Sequence, residues 1–84
     1  MALVSIHPHA EKRAKERGAQ TDEIIDTVTN GEQFPAKYSR TGFRKNFDFN
    51  SNWNNKHYST KQIEAFCVEE NNNWLVITVI VKYF

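Results

Sequence analysis

From Arg40 to Phe49 apolar and polar positions alternate. Phe43, Phe47 and Phe49 fall on odd numbers, with Arg44, Asn46 and Asp48 between them. A period of two predicts a half-buried strand. NSNWNN at 50–55 is loop by composition. A second strand is predicted from His57 to Val68 and a third from Trp74 to Phe84. The third is apolar on both faces, which predicts a central place in the sheet. Asn71, Asn72 and Asn73 join the two as a tight hairpin, because Asn tolerates the left-handed conformation of such turns. With a three-residue turn Cys67 opposes Ile77, Ala65 opposes Val79 and Ile63 opposes Val81, a wholly apolar face that should receive the helices. That face turns polar toward Lys61, Ser59 and His57, with Lys61 opposite Tyr83. The other face carries Phe66, Val68, Val76, Thr78 and Ile80 among Gln62, Glu64 and Lys82. A two-residue turn would exchange these partners.

Upstream the period lengthens. Leu3 to Ile6 reads as a short first strand. Pro8 suits the first helical position, where its missing N–H is no loss. The run HAEKRAKER continues the helix to Gly18, with Glu11 four residues before Lys15. Thr21 followed by Asp22 and Glu23 marks a second helix start, a hydroxyl cap and then acids at the positive dipole end. Ile24, Ile25 and Val28 give this helix one apolar stripe, and Gly31 ends it. The predicted fold is α+β: a short N-terminal strand and two short helices on one face of a three- to four-stranded antiparallel sheet.

Composition fits a single domain over residues 1–84. Hydrophobic residues make up 39% and charged residues 25%, with three Gly and two Pro, so neither disorder nor a fibrous repeat is expected. One cysteine, Cys67, excludes an internal disulfide and suits a reducing compartment. The apolar run Trp74 to Val81 is too short to span a bilayer as a helix. The start MALVSIHPHA has neither a basic nor an apolar leader region, so a cytoplasmic location is expected.

The formal net charge of +1 argues against a polyanionic partner until it is divided along the chain. Residues 1–35 hold four basic and six acidic groups, net −2. Residues 36–62 hold Lys37, Arg40, Arg44, Lys45, Lys56 and Lys61 against Asp48, net +5. Residues 63–84 return to net −2. Local field governs docking of a polyanion more than total charge does. Seven of the eleven aromatic residues lie between Phe34 and Tyr58, interleaved with these cations. Stacking platforms beside phosphate-binding groups are what single-stranded RNA requires. Phe43, Phe47 and Phe49 themselves read first as one strand's core face, since alternation is a packing signal.

His9, Arg13 and Arg17 recur four residues apart, placing an imidazole and two guanidiniums along one side of the first helix. Such a row suits proton transfer beside a phosphate. It also suits a solvated helix face, with Arg13 paired to Glu16. His57 reads as a second acid or base, or as a strand end. No Cys pair or close ligand cluster accompanies His7 and His9, so no metal is expected, and Cys67 reads as a packed small hydrophobe. No Gly-rich phosphate loop occurs.

The run HAEKRAKERG at 9–18, a second short helix and the strand VITVIVKYF at 76–84 together resemble a family of small proteins grouped with the RelE-like ribonuclease toxins. These share a wider fold with barnase-, EndoU- and colicin-type ribonucleases. The motif residues are His9, Ala10, Arg13, Arg17, Gly18 and Thr78. The resemblance implies metal-independent, cofactor-free endoribonuclease chemistry in which a 2′-OH attacks the adjacent phosphate. It implies His9 as base or acid, Arg13 as phosphate clamp, and Lys61 with Tyr83 as electrostatic and proton-donating support. Arg17, Lys37, Arg40, Arg44, Lys45 and Lys56 would hold RNA, and a co-encoded antitoxin would cover the cleft. Two alternatives stand beside this bacterial toxin: a non-catalytic RNA-binding domain or degenerate toxin, and a protein-interaction module.

Overall fold

The computed structural model describes residues 3–84; Met1 and Ala2, the start of the segment read for a leader, lie outside them. The elements run β1 (Val4–Ile6), α1 (Pro8–Glu16), α2 (Thr21–Asn30), β2 (Glu32–Pro35), β3 (Thr41–Trp53), β4 (Lys56–Glu70) and β5 (Asn73–Tyr83). Both helices lie on one face of a single five-stranded sheet of order β1-β5-β4-β3-β2. The class is α+β as expected, but the sheet is wider than three to four strands and is not wholly antiparallel, because β1 runs parallel to β5. β4 is the central strand, and β5 lies one place from the edge. Among the described residues no helix is long and apolar enough to cross a membrane.

The added strand is β2, which pairs Glu32–Pro35 with Thr41–Arg44. Its sequence EQFP has no alternation, and Pro35 suits only an edge, where a missing N–H costs no ladder bond. The expected loop at 50–55 is shorter in the fold. Strand pairing runs on to Trp53, across a register shift between Asp48 and Ser51 where Asn50 has φ 43°. Only Asn54 and Asn55 turn, with φ of 53° and 67°.

The second hairpin also turns on two residues, Asn71 and Asn72 (φ 52° and 66°), so that Glu70 faces Asn73. Left-handed pairs of this kind match the twist of the flanking strands. A bulge then shifts the register by one: Cys67 faces Val76 while Phe66 faces Thr78, leaving Ile77 as the extra residue. Beyond the bulge Ala65 faces Val79, Ile63 faces Val81 and Lys61 faces Tyr83, the pairs expected from the apolar face. The correction falls on Cys67, which does not oppose Ile77, and on Val76, which joins the buried face.

Ile63, Ala65, Cys67, Val76 and Val79 form that face with Phe43 and are almost fully buried. Ala14 and Ala19 from the α1 region, and Ile24 and Val28 from α2, cover it. Small side chains at Ala10 and Ala14, both buried, let α1 lie close to β5. Helix α2 begins one residue earlier than its hydroxyl suggested: Gln20 is the cap, and its N–H donates to Glu23 Oε1 at 2.9 Å. Gly18 takes φ +90° where α1 ends, and a Cβ there would lie 2.2 Å from the Tyr83 hydroxyl.

The joint between the helices is locked to the sheet by polar bonds. Lys61, 7% exposed, donates from Nζ to the Gly18 carbonyl at 3.0 Å and to Glu23 Oε1 at 2.8 Å. Tyr83 Oη donates to the Arg17 carbonyl at 2.7 Å. Trp53 stacks on the Tyr83 ring at 4.9 Å, and Phe49 packs against it at 5.0 Å. A buried ammonium is tolerated only while paired, and removing one partner of such a pair costs about 3–5 kcal/mol. Glu23→Ala should therefore destabilise the fold by about 3 kcal/mol, near the low end of that range because Glu23 keeps some water. Adding Lys61→Met should recover much of the loss in urea denaturation, whereas additive losses would show that the two residues act independently.

Candidate functional site

Helix α1 carries His9, Arg13 and Arg17 past the outer edge of β5. β1 covers that edge only through Val76, and His7 N–H adds one further bond to the Val76 carbonyl. Beyond it no strand pairs with the edge among the described residues. Arg17 Nη1 donates to the Val79 carbonyl at 2.9 Å, occupying a strand edge that would otherwise be open. His9 and Arg13 stand beside it, both exposed, and with Thr78 and Ile77 they line a recess of about 210 Å³. Arg13 pairs neither with Glu16 nor with any other carboxylate among the described residues.

The second feature lies on the sheet face turned away from the helices. Gly42, opposite Phe34, has no Cβ, and the Phe34 ring occupies that space, 2.3 Å from where a Cβ would stand. Phe34 meets Phe66 edge to face at 5.9 Å and lies 4.5 Å beneath the Arg44 guanidinium. Phe34, Phe66 and Thr78 floor a hollow of about 460 Å³, rimmed by Lys37, Tyr38 and Arg40. The rim is a tight loop closed by Ala36 N–H to the Arg40 carbonyl at 3.0 Å. Tyr38 and Ser39 both lie in the left-handed region, φ 61° and 58°. That conformation costs about 1–2 kcal/mol for an L residue with no special tolerance of it. Tyr38 is 82% exposed and stands under the Arg40 guanidinium at 5.7 Å.

Thr78 lines both the recess and the hollow. The bulge at Ile77 brings this about, since it leaves Thr78 facing Phe66 on the open side while Val79 turns inward.

The remaining candidates are scattered. Lys61 and Tyr83 belong to the helix joint described above, on the far side of α1's C-terminus, and not beside His9. Burial and the nearby Glu23 carboxylate raise the Tyr83 phenol above its ordinary value, and its proton is already held by Arg17. Lys45 faces the helices and pairs with Asp26, whereas its neighbour Arg44 faces the open side and pairs with Glu64 at 2.7 Å. Lys56 lies at the distal hairpin, over the Tyr58 ring at 5.5 Å. Of the six basic residues at 36–62, Arg44, Lys45 and Lys61 are thus neutralised by acids from other segments. Lys37 and Arg40 remain together at the hollow. His57 is exposed beside Lys56 in the distal strand. Cys67 is buried, and burial pushes its thiol up to about 12, leaving it unreactive. Among the described residues no three His, Cys, Asp or Glu side chains gather as a metal site needs.

Glu64 was not singled out in the sequence, where it is one polar residue on a mixed strand. It is 5% exposed and accepts from Arg44 and, at 3.3 Å, from Lys82. Burial alone would raise its carboxyl; the bonds from Arg44 and Lys82 outweigh burial and hold it below its ordinary value near 4.5. Hydrogen bonds from Lys45 and Asn30 likewise lower Asp26. A carboxyl depressed in the fold contributes stability that is full above its unfolded value and is lost as pH falls through its folded value. Glu64→Gln should therefore lose less stability than the parent between about pH 6 and about pH 3, with the Asp26 share remaining. Urea midpoints across that range test this, and parallel curves would contradict it.

Comparison of the chain with protein-family models, with curated proteins and with solved structures finds no match in any of the three.

Proposed function

We propose that the protein is a metal-independent endoribonuclease acting on single-stranded RNA in the cytoplasm, the toxin of a bacterial toxin–antitoxin pair. The observation that carries this reading is the junction at Thr78. A recess with one imidazole and two guanidiniums, and a hollow with an aromatic floor and a cationic rim, share Thr78 in their linings. RNA cleavage needs both parts: stacking surfaces that hold unpaired bases, and a proton-transfer group beside cations at the phosphate.

In this reading His9 accepts the 2′-OH proton as the O2′–P bond forms. The P–O5′ bond breaks and the 5′-oxygen takes a proton from solvent water, giving a 2′,3′-cyclic phosphate and a 5′-hydroxyl, while protonated His9 returns its proton to water. Arg13 faces the charge that develops on phosphorus. Arg17, anchored on Val79, borders the site and holds the strand edge. Lys61 and Tyr83 act through structure, by fixing the backbone of Arg17 and Gly18. A co-encoded antitoxin would restrain the activity by covering the recess and hollow.

A second reading, RNA binding without cleavage, draws on one specific observation: Lys61 and Tyr83 are engaged elsewhere, so His9 stands without a second titratable partner from the expected set. Incubation of the purified chain with unstructured RNA and a chelator separates the readings. Cleavage with cyclic-phosphate ends is expected, lowered about 10²–10⁴-fold by His9→Ala and about 10²–10³-fold by Arg13→Ala. Equal cleavage by both variants would remove the assigned roles. Salt-sensitive binding without product would establish the second reading.

A further inference from the structure

We infer that the loop between β2 and β3, with the floor beneath it, is a subsite for one unpaired nucleotide, its base stacked between Tyr38 and the Phe34–Phe66 floor and its phosphate on Lys37 and Arg40. This rests on the RNA reading above and adds where the strand is gripped outside the reacting centre.

Three observations converge. The hollow, at about 460 Å³, is within the range of small-ligand sites and its floor is aromatic. Its two rim cations, Lys37 and Arg40, form no ion pair among the described residues, and no carboxylate lines the hollow. An apolar, planar ligand part carrying an anion complements that lining; an acidic or neutral peptide would satisfy only half of it. Finally, the loop holds a bulky aromatic residue at φ 61° while exposing 82% of it. Tyr38 gains little burial in return for that backbone, and residues kept in such conformations tend to be positioned for function. An exposed tyrosine on the rim of an aromatic-floored hollow offers a base a second stacking surface. Stacking there is sequence-tolerant, because every base has a π-face.

The test uses a fluorescent ten-nucleotide 2′-O-methyl RNA, which lacks the attacking hydroxyl and so reports binding alone. Tyr38→Gly should weaken binding about 5- to 150-fold, the worth of one stacked base. The same variant should keep or raise the melting temperature, since glycine takes a positive φ without steric cost. Tyr38→Phe should keep the parental affinity. Lys37→Ala and Arg40→Ala should each reduce the slope of log affinity against log salt by about 0.7. Loss of melting temperature together with affinity in Tyr38→Gly would mean a structural tyrosine and overturn the subsite. Parental affinity in Tyr38→Gly, with the parent binding RNA, would overturn it too, leave the RNA reading standing and turn the hollow over to a protein partner. A parent chain that neither binds this RNA nor cleaves an unmodified one would overturn both.

Discussion

The ammonium of Lys61 is the constraint on which the arrangement turns. It sits inside the protein between the carbonyl that ends α1 and the carboxylate that caps α2. An isolated charge in that position would be prohibitively costly, so the fold is tolerable only with both partners in place. Tyr83 adds a bond one residue upstream, and the ring stack of Trp53 and Tyr83 covers Gly18. These contacts fix the end of α1 against the sheet. With that end fixed and Ala10 and Ala14 pressed on β5, the direction of the helix is determined. His9 and Arg13 therefore come to the exposed edge of β5 by construction. Lys61 and Tyr83, to which the resemblance assigned supporting catalytic roles, thus hold the end of α1 in place.

The broad fold was legible because it depends on period. Alternation identified β3, a run apolar on both faces identified β5, and the apolar partners Ala65–Val79 and Ile63–Val81 were correctly paired from a turn of the wrong length. The pairing survived because a one-residue bulge offsets a turn shorter by one. No local pattern marks that bulge, so Val76 was assigned to the wrong face. β2 was invisible for a different reason: four residues at an edge, one of them proline, satisfy a backbone ladder without any side-chain pattern. The extension of β3 to Trp53 was hidden by its asparagines, which form turns at 54–55 but also sit in a bulged strand.

The candidate site was half legible. Spacing of four residues along α1 puts His9, Arg13 and Arg17 on one side in any helix, and the recess contains all three. The basic middle segment was less informative, because charge summed along the chain ignores what folds over it. Asp26 and Glu23 from α2, and Glu64 from β4, meet Lys45, Lys61 and Arg44. Of the cations left without an acid, Lys37 and Arg40 gather near an aromatic floor assembled from β2 and β4, while Lys56 stays at the distal hairpin. Since β2 could not be seen in the sequence, neither could that floor.

On the proposed function, recess and hollow act as one RNA-binding surface that meets at Thr78. This is tested most directly by mapping amide shifts of the ¹⁵N-labelled chain as a short 2′-O-methyl RNA is added. Saturable shifts are expected at His9, Arg13 and Thr78 together with Lys37, Tyr38, Arg40 and Phe66, moving in step with one affinity. Shifts confined to one of the two features, or centred on the distal hairpin around Lys56, would contradict it.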